Sequence, residues 1–319
     1  MAGGDVMTDS VRELVDNYIE LRRALGYRPL TQERALRAFA RYLDGHEGPV
    51  PLEATLDWAT STESSDPCNP ARRLATVRGF LRHLSALDGA TEVPAAGMLG
   101  PTGHRKPPHV YSDREIADLV AAAGQLAPSG GLRPLCYATL FGLLACTGLR
   151  ISEALALSCV DVDLDGGVIT VRAGKRGMTR LVPLHVSALR PLRDFAAERE
   201  RRHGQAHQDD AFFRTEYSKR LSYSTAFHAF SVTRHRLGWD ADGRTRAPRV
   251  HDLRHRMVVR RIQTWHVEGV DVDAKMAALA TYLGHVEVRD VYWYLSAVPE
   301  LMNVVADRFE AFGGPPGAP

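Results

Sequence analysis

Residues 281–300 read TYLGHVEVRDVYWYLSAVPE, and this stretch contains both potentially reactive side chains and apolar side chains suited to packing. His285 follows a Leu-Gly pair, and Tyr292 and Tyr294 lie on an apolar and aromatic segment. A tyrosine phenol can serve as a covalent nucleophile, and an attacked phosphate needs cationic groups that neutralise its charge. If one of these tyrosines is reactive, the rest of the chain must supply those cations.

The length and composition indicate a globular protein with two domains. A chain of 319 residues is long for one hydrophobic core, and 45% of its residues are hydrophobic while 24% are charged. The formal net charge is only +2, but residues 172–261 hold 21 Lys and Arg against 9 Asp and Glu. Such a local positive field suits a polyanionic partner.

Cysteine usage and hydropathy favour a cytoplasmic location. The cysteines form no CxxC pair and lack the spacing of secreted disulfide domains, which favours reduced thiols and argues against structural zinc. The four cysteines are Cys68, Cys136, Cys146 and Cys159. The N-terminus has no signal-peptide pattern, and the most apolar segment, 135–146, is too short to span a bilayer. We expect a cytoplasmic protein without membrane contact or a structural zinc site.

Apolar spacing divides the chain into a helical N-terminal part and a larger second part. Residues repeating at intervals of three and four predict amphipathic helices at 9–25, 31–43, 52–58 and 69–87. Residues 89–108 read GATEVPAAGMLGPTGHRKPP, which is rich in Gly and Pro and has no periodicity. We predict an N-terminal domain over residues 1–92, a linker over 93–110 and a second domain over 111–319.

The second domain is predicted to be mainly helical with a small β-sheet. Residues 168–171 and 180–184 alternate in polarity on either side of AGKRGM, which predicts a β-hairpin or two strands of a small sheet. Gly148 and Gly284 are placed to end the helices before them. We predict one helix that begins at Ser112-Asp113 and further helices at 135–146, 187–203, 223–237, 250–266, 271–283 and 301–312.

Four motifs of the second domain occur in a recognisable order. They are TGLRISE at 147–153, AGKRG around Lys175, HDLRH at 251–255, and LGH followed nine residues after its histidine by Tyr294. Together they resemble the tyrosine recombinase family, also called the phage integrase family, over residues 112–310. The resemblance implies a helical, SAM-like core-binding domain that binds DNA, followed by a mixed α/β catalytic domain.

The resemblance assigns the phosphate clamp to two arginines, Arg150 and Arg254. Arginine stays charged and forks onto two oxygens, so a pair of them suits the transition state of attack at phosphorus. Glu153 lies one helical turn after Arg150 and is expected to hold its guanidinium through an i,i+3 contact.

The remaining motifs supply proton-transfer groups. His251 resembles the family histidine that handles the proton of the nucleophile or bonds a phosphate oxygen, and its alternative role is to cap the helix that begins near Val250. Asp252 and His255 are expected to be structural. Lys175 resembles the lysine that protonates the departing 5′ oxygen, which suits an ammonium group that can lose its proton.

The choice of nucleophile lies between two tyrosines. On an uninterrupted helix Tyr292 would lie near the His285 side and Tyr294 nearly opposite, since each residue turns about 100°. Gly284 indicates a break before His285, and the register of the family puts the nucleophile nine residues after this histidine. We expect Tyr294 to be the nucleophile, with Tyr292 as second choice and His285 as a hydrogen-bond donor to the phosphate.

The resemblance also implies a reaction and an assembly. A mobile-element integrase of this kind forms a 3′-phosphotyrosyl link to double-stranded DNA at an inverted-repeat core site, passes through a Holliday junction, and uses no metal or ATP. A homotetramer on the DNA is implied, with the C-terminal helix over 301–312 docking on a neighbouring protomer or folding back on its own chain. Related recombinases are possible further partners.

Two other functions fit parts of the pattern. A type IB topoisomerase would share the arginine, lysine, histidine and tyrosine chemistry but would relax DNA without exchanging partners. A catalytically inactive DNA-binding accessory protein would keep the helical domain without the reaction. The order and completeness of the motifs favour the recombinase.

Overall fold

The computed structural model describes residues 10–27, 30–46, 48–103, 108–172, 179–217, 220–241, 246–284 and 291–292. The chain divides into two compact units, residues 1–106 and 107–319, and each contains its own hydrophobic core. The predicted fold class, mainly helical with a small sheet, is confirmed.

The described part of the first unit contains four helices close to their predicted bounds. They are α1 (Val11–Ala24), α2 (Leu30–Tyr42), α3 (Leu52–Thr60) and α4 (Asn69–Asp88). Ser10 begins α1 with a capping box, because its backbone N–H donates to Glu13 Oε2 at 3.0 Å while its Oγ accepts from the Glu13 N–H at 3.4 Å. Gly89 ends α4 in the left-handed region, at φ 65°. Local capping signals therefore set these helix ends.

Part of the segment predicted as a linker packs within the first unit. Leu99 lies against its hydrophobic core, and residues 95–103 line a cavity of about 400 Å³ together with Ala71, Leu74 and Arg78 of α4. The linker bounds 93–110 stay a prediction.

The second unit is built around one buried helix. Its helices are α5 (Asp113–Ala123), α6 (Leu132–Thr147), α7 (Ile151–Ala156), α8 (Val186–His203), α9 (Tyr223–Arg236), α10 (Asp252–Val267) and α11 (Val272–Leu283). Helix α6 contacts α5, α8 and α10, and it is apolar on nearly all sides, as a central helix must be. Its C-terminus and the helices around it position the site described below.

Helix α6 begins three residues before its predicted start, for a non-local reason. The carboxylate of Glu216 accepts hydrogen bonds from the backbone N–H groups of Leu132 and Arg133, which the first turn of a helix leaves without partners. Pro134 is tolerated there because the first turn needs no N–H donor at that position. A glutamate more than eighty residues away leaves no mark in the local pattern.

The small sheet confirms the two predicted strands and adds a third. Strands β1 (Val162–Asp163), β2 (Val168–Val171) and β3 (Arg180–Pro183) are antiparallel in the order β1-β2-β3. Sequence alternation missed β1 because two residues are too few to show it. Val171 pairs with Arg180 and Ile169 pairs with Val182, so Arg180 lies on the buried face of the sheet.

The far end of the second unit forms a smaller apolar cluster between α10 and α11. Helix α10 begins at Asp252, two residues later than predicted, and α11 ends at Gly284 as predicted, with φ 66°. The helix predicted at 301–312 and the turn that carries Lys175 lie outside the described residues. Among the helices that are described, none is long and apolar enough to cross a bilayer.

Candidate active site

Arg150 is positioned by the sharp turn between α6 and α7. Gly148 ends α6 at φ 65°, a backbone conformation that favours glycine, and a Cβ there would lie 2.6 Å from Met257 Cε, so the end of the Met257 side chain would have to shift. The chain then passes through buried Leu149 to Arg150, which occupies the N-cap position of α7. The guanidinium of Arg150 is partly exposed, with 27% of the side chain accessible. Tight packing of the turn thus presents a cation at the surface of the site.

Glu153 is the buried carboxylate of this site. Its Oε2 accepts from the Arg150 backbone N–H at 2.9 Å, and its Oε1 accepts from Arg150 Nη1 at 2.8 Å, which confirms the predicted i,i+3 contact. Arg180 donates to the same carboxylate from Nη1 at 3.1 Å and from Nη2 at 2.8 Å. Burial acts to raise the pKa of Glu153, but the hydrogen bonds from Arg180 and from the Arg150 main chain outweigh it and lower the pKa.

Arg254 is buried in the first turn of α10, with 2% of the residue exposed. Its Nη1 donates to the carbonyl oxygen of Gly148 at 2.7 Å, and its Nη2 donates to that of Leu283 at 2.7 Å. These carbonyls stand at the C-terminal ends of α6 and α11, where backbone acceptors lack helical partners and the helix dipole is negative. Two helix ends therefore stabilise one buried cation.

Three guanidinium groups meet at the C-terminal end of α11. The carbonyl of Leu283, which accepts from Arg254, also receives Arg150 Nη1 at 3.5 Å, and the neighbouring carbonyl of Tyr282 accepts from Arg180 Nε at 2.8 Å. Glu153 is the one carboxylate that these contacts include within the described residues. The cluster therefore carries more positive than negative charge, as a phosphate site requires.

His251 lies at the same end of α10 but differs from Arg254 in exposure. It occupies the N-cap position without a side-chain capping bond, so the capping alternative is not what the structure shows. Its ring is exposed and meets the ring of His255 edge-on, with centroids 4.8 Å apart. Asp252 and His255 are both buried, as expected for structural residues, and Asp252 accepts from Arg249 Nη2 at 2.8 Å.

Two described tyrosines of this region are poor candidates for the nucleophile. Burial raises the pKa of Tyr282 to about 12, which makes its phenolate hard to form. The Tyr292 hydroxyl is 3.3 Å from Asp273 Oδ1 in the first turn of α11, ten residues from Leu283 and therefore about 15 Å away along the helix. Burial and Asp273 both raise the pKa of Tyr292.

The other predicted site residues are outside the described part of the chain. Lys175 falls in 173–178, His285 in 285–290 and Tyr294 in 293–319. The structure places the segments that flank the first two, because β2 ends and β3 begins around Lys175, and Gly284 precedes His285.

Sequence reasoning missed Arg180. The available signal was its spacing, because Arg180 is two residues from inward-facing Val182 and therefore points to the same side of the strand. A charged residue at an inward strand position indicates a buried partner, and here the partner is Glu153.

Comparison with known proteins identifies the family of the chain. Residues 112–300 match the model of the phage integrase family. The protein named as integrase/recombinase y4rB of Sinorhizobium fredii is 36% identical over 304 residues, which cover 94% of this chain and 96% of the relative. The chain therefore belongs to the phage integrase family of tyrosine recombinases and is a site-specific recombinase enzyme.

Solved structures share the fold at low sequence identity. The Tn1549 transposon integrase in complex with transposon right end DNA matches with a TM-score of 0.67 and 14% identity, covering 96% of this chain and 100% of that chain. The lambda integrase tetramer bound to a Holliday junction matches with a TM-score of 0.60 and 16% identity, covering 88% and 78%. These comparisons give no support to the topoisomerase alternative.

Proposed function

We propose that this recombinase cuts and rejoins double-stranded DNA through a covalent bond to Tyr294, with Arg150 and Arg254 as the clamp on the scissile phosphate. The observation that carries the proposal is the shared carbonyl of Leu283, which brings together two guanidinium groups separated by more than a hundred residues of sequence. Since arginine keeps its charge at any physiological pH, the clamp needs no activation.

The charge of the cluster fits the reaction. A DNA phosphodiester carries one negative charge, and nucleophilic attack adds a second as the pentacoordinate transition state forms. Three guanidinium groups against one carboxylate leave two positive charges within the described cluster. Because both Arg254 and Arg180 are already held by hydrogen bonds, little reorganisation is needed when the negative charge develops.

The remaining steps are assigned to the predicted residues. The phenol oxygen of Tyr294 attacks phosphorus and its proton passes to His251, while the bond from phosphorus to the 5′ oxygen breaks and Lys175 protonates that oxygen. His285 donates a hydrogen bond to a non-bridging phosphate oxygen. The 3′-phosphotyrosyl ester replaces one phosphodiester, so attack by a 5′ hydroxyl of a second duplex reverses the step without an external energy source.

The proposed partner is double-stranded DNA with an inverted-repeat core site, bound by a homotetramer that passes through a Holliday junction. The fold shared with the lambda integrase tetramer supports this assembly. We expect the segment 301–312 to dock on a neighbouring protomer, related recombinases to be able to join the assembly, and the enzyme to act at the nucleoid in the bacterial cytoplasm. Excision and integration of a mobile element are the expected outcomes.

The test is covalent trapping on a nicked suicide duplex made from the DNA that flanks the gene in its host. Wild type is expected to form a protein–DNA adduct, Tyr294→Phe is expected to form none while still binding, and Tyr292→Phe is the matched control that keeps the adduct. An adduct with Tyr294→Phe at the wild-type level would place the nucleophile elsewhere. Site-specific binding by wild type with no adduct would instead indicate a DNA-binding accessory protein.

A further inference from the structure

Arg180 occupies an unusual place for a cation. It is the first residue of β3, it pairs with Val171 on the buried face of the sheet, and only 10% of its side chain is exposed. Burying a guanidinium is costly unless its donors are satisfied, so an arginine in such a place must make several specific contacts.

The guanidinium of Arg180 uses three of its nitrogen atoms on two different elements. Nη1 and Nη2 donate to Glu153 of α7 at 3.1 and 2.8 Å, and Nε donates to the carbonyl oxygen of Tyr282 in α11 at 2.8 Å. A two-pronged contact to a carboxylate combined with a third bond in another direction requires the planar fork of arginine, which lysine lacks.

Both partners of Arg180 also hold the proposed phosphate clamp. Glu153 binds the guanidinium and the backbone N–H of Arg150, and Tyr282 precedes Leu283, whose carbonyl accepts from Arg254. Arg180 thus joins β3 to the start of α7 and to the end of α11. Its strand also follows directly on the segment that carries Lys175.

Gly284 shows how closely Arg180 fits the end of α11. A Cβ on Gly284 would lie 2.8 Å from Arg180 Nη1 and 3.1 Å from Cζ, and the backbone there has φ 66°. The guanidinium therefore occupies the space that a side chain would fill, at the residue immediately before His285. Arg180 therefore packs directly against the residue that ends α11.

We infer that Arg180 is a positioning residue of the strand-transfer site: it holds Arg150 through Glu153 and fixes the end of α11 from which the chain continues to His285. This inference rests on the proposed function. Without Arg180, Glu153 would pair with Arg150 alone, and the excess positive charge of the described cluster would fall from two to one.

The first test uses the free protein and hydrogen–deuterium exchange. In Arg180→Met we expect faster amide exchange in residues 150–156 and 280–284, with α5 and α8 unchanged. Arg199→Met is the matched control, because Arg199 is also buried, donates to the Phe212 carbonyl at 3.2 Å and pairs with Glu200, and these contacts join it to no site residue that the structure describes. Unchanged exchange at both site segments, or equal acceleration throughout the second unit, would overturn the inference.

The second test measures cleavage of the suicide duplex. Arg180→Met is expected to cleave roughly 10²-fold more slowly with unchanged DNA affinity, since displaced catalytic groups commonly cost about this much. The cleavage rate of Arg180→Lys is expected to lie between those of wild type and Arg180→Met, because lysine keeps the charge but lacks the planar fork of arginine. Wild-type cleavage by Arg180→Met would refute the positioning role, whereas failure of wild type itself to form the Tyr294 adduct would refute the proposed function.

A modified substrate separates positioning from general damage. A methylphosphonate at the scissile position replaces a charged oxygen with a methyl group, so it depends less on the charge of the clamp. The cleavage defect of Arg180→Met is expected to shrink on this substrate. A cleavage defect of equal size on both substrates would indicate that Arg180→Met only destabilises the protein, and it would contradict the positioning role.

Discussion

Two ion pairs, one in each unit of this protein, differ sharply in burial. In the first unit Arg12 pairs with Asp44 at 2.7 Å on the surface, where 54% and 61% of the side chains are exposed. In the second unit Glu153 and Arg180 pair at 2.8 Å with 8% and 10% exposed. The two distances are nearly equal, but water screens the exposed pair and is largely excluded from the buried one. Breaking the buried pair therefore costs much more free energy, and this pair can hold neighbouring side chains in place.

The largest effect is expected from the clamp itself. Arg254→Ala should reduce cleavage of the suicide duplex by at least roughly 10²–10³-fold, because it removes charge that matters most at the transition state. DNA binding should persist, since many other contacts contribute to affinity. Arg150→Ala should behave in the same way.

The matched control for these variants is Arg190→Ala, because 90% of the Arg190 side chain is exposed. Cleavage rates and equilibrium binding are measured on the same duplex. A loss of binding as large as the loss of cleavage in Arg254→Ala would contradict the clamp role.

Removal of one carboxylate from each unit tests the comparison of ion pairs. Glu153→Ala is expected to lower the free energy of unfolding by roughly 3–5 kcal/mol, since it leaves the buried guanidinium of Arg180 without its anion. Asp44→Ala is expected to change it by about 0–1 kcal/mol. Urea unfolding of both variants provides the measurement, and equal costs would remove the distinction drawn between the two regions.

Acidification should weaken the buried ion pair of Glu153 in wild type. The folded-state pKa of Glu153 lies below its ordinary value of 4.5, so its stabilising contribution is fully present above that pH and is lost as the pH falls through the folded pKa. Wild type should therefore lose stability below about pH 4.5 more steeply than Glu153→Ala. Identical pH profiles for the two proteins would argue against a depressed pKa.

Two glycines with the same backbone conformation, one in each unit, give the last comparison. Gly89 in the first unit has φ 65° with open space around it, and Gly284 has φ 66° with Arg180 in the way. Alanine at either position should cost about 1–2 kcal/mol from backbone strain. Only Gly284→Ala should also slow cleavage, because it displaces the Arg180 guanidinium. Thermal unfolding and the cleavage assay distinguish these outcomes, and normal cleavage by Gly284→Ala would weaken the positioning role.

Local signals in the sequence predicted much of this structure. The helix start at Ser112-Asp113, the helix ends at Gly148 and Gly284, and the contact between Arg150 and Glu153 each involve residues within about one helical turn. The motifs and their order were enough to predict the family, and their residue types suit the chemistry that a phosphate and a tyrosine require. Tyr294, Lys175 and His285 keep their assigned roles as predictions.

Tertiary structure alone decided how the site is assembled. Arg254 reaches Gly148 across 106 residues, Arg150 reaches Leu283 across 133, and Arg180 reaches Tyr282 across 102. Periodicity cannot reveal such contacts, because they depend on how helix ends and a strand pack in space and on which backbone carbonyls remain without helical partners. The sequence determined which charged groups are present and on which elements they lie, and packing determined that three cations and one carboxylate meet at the end of α11.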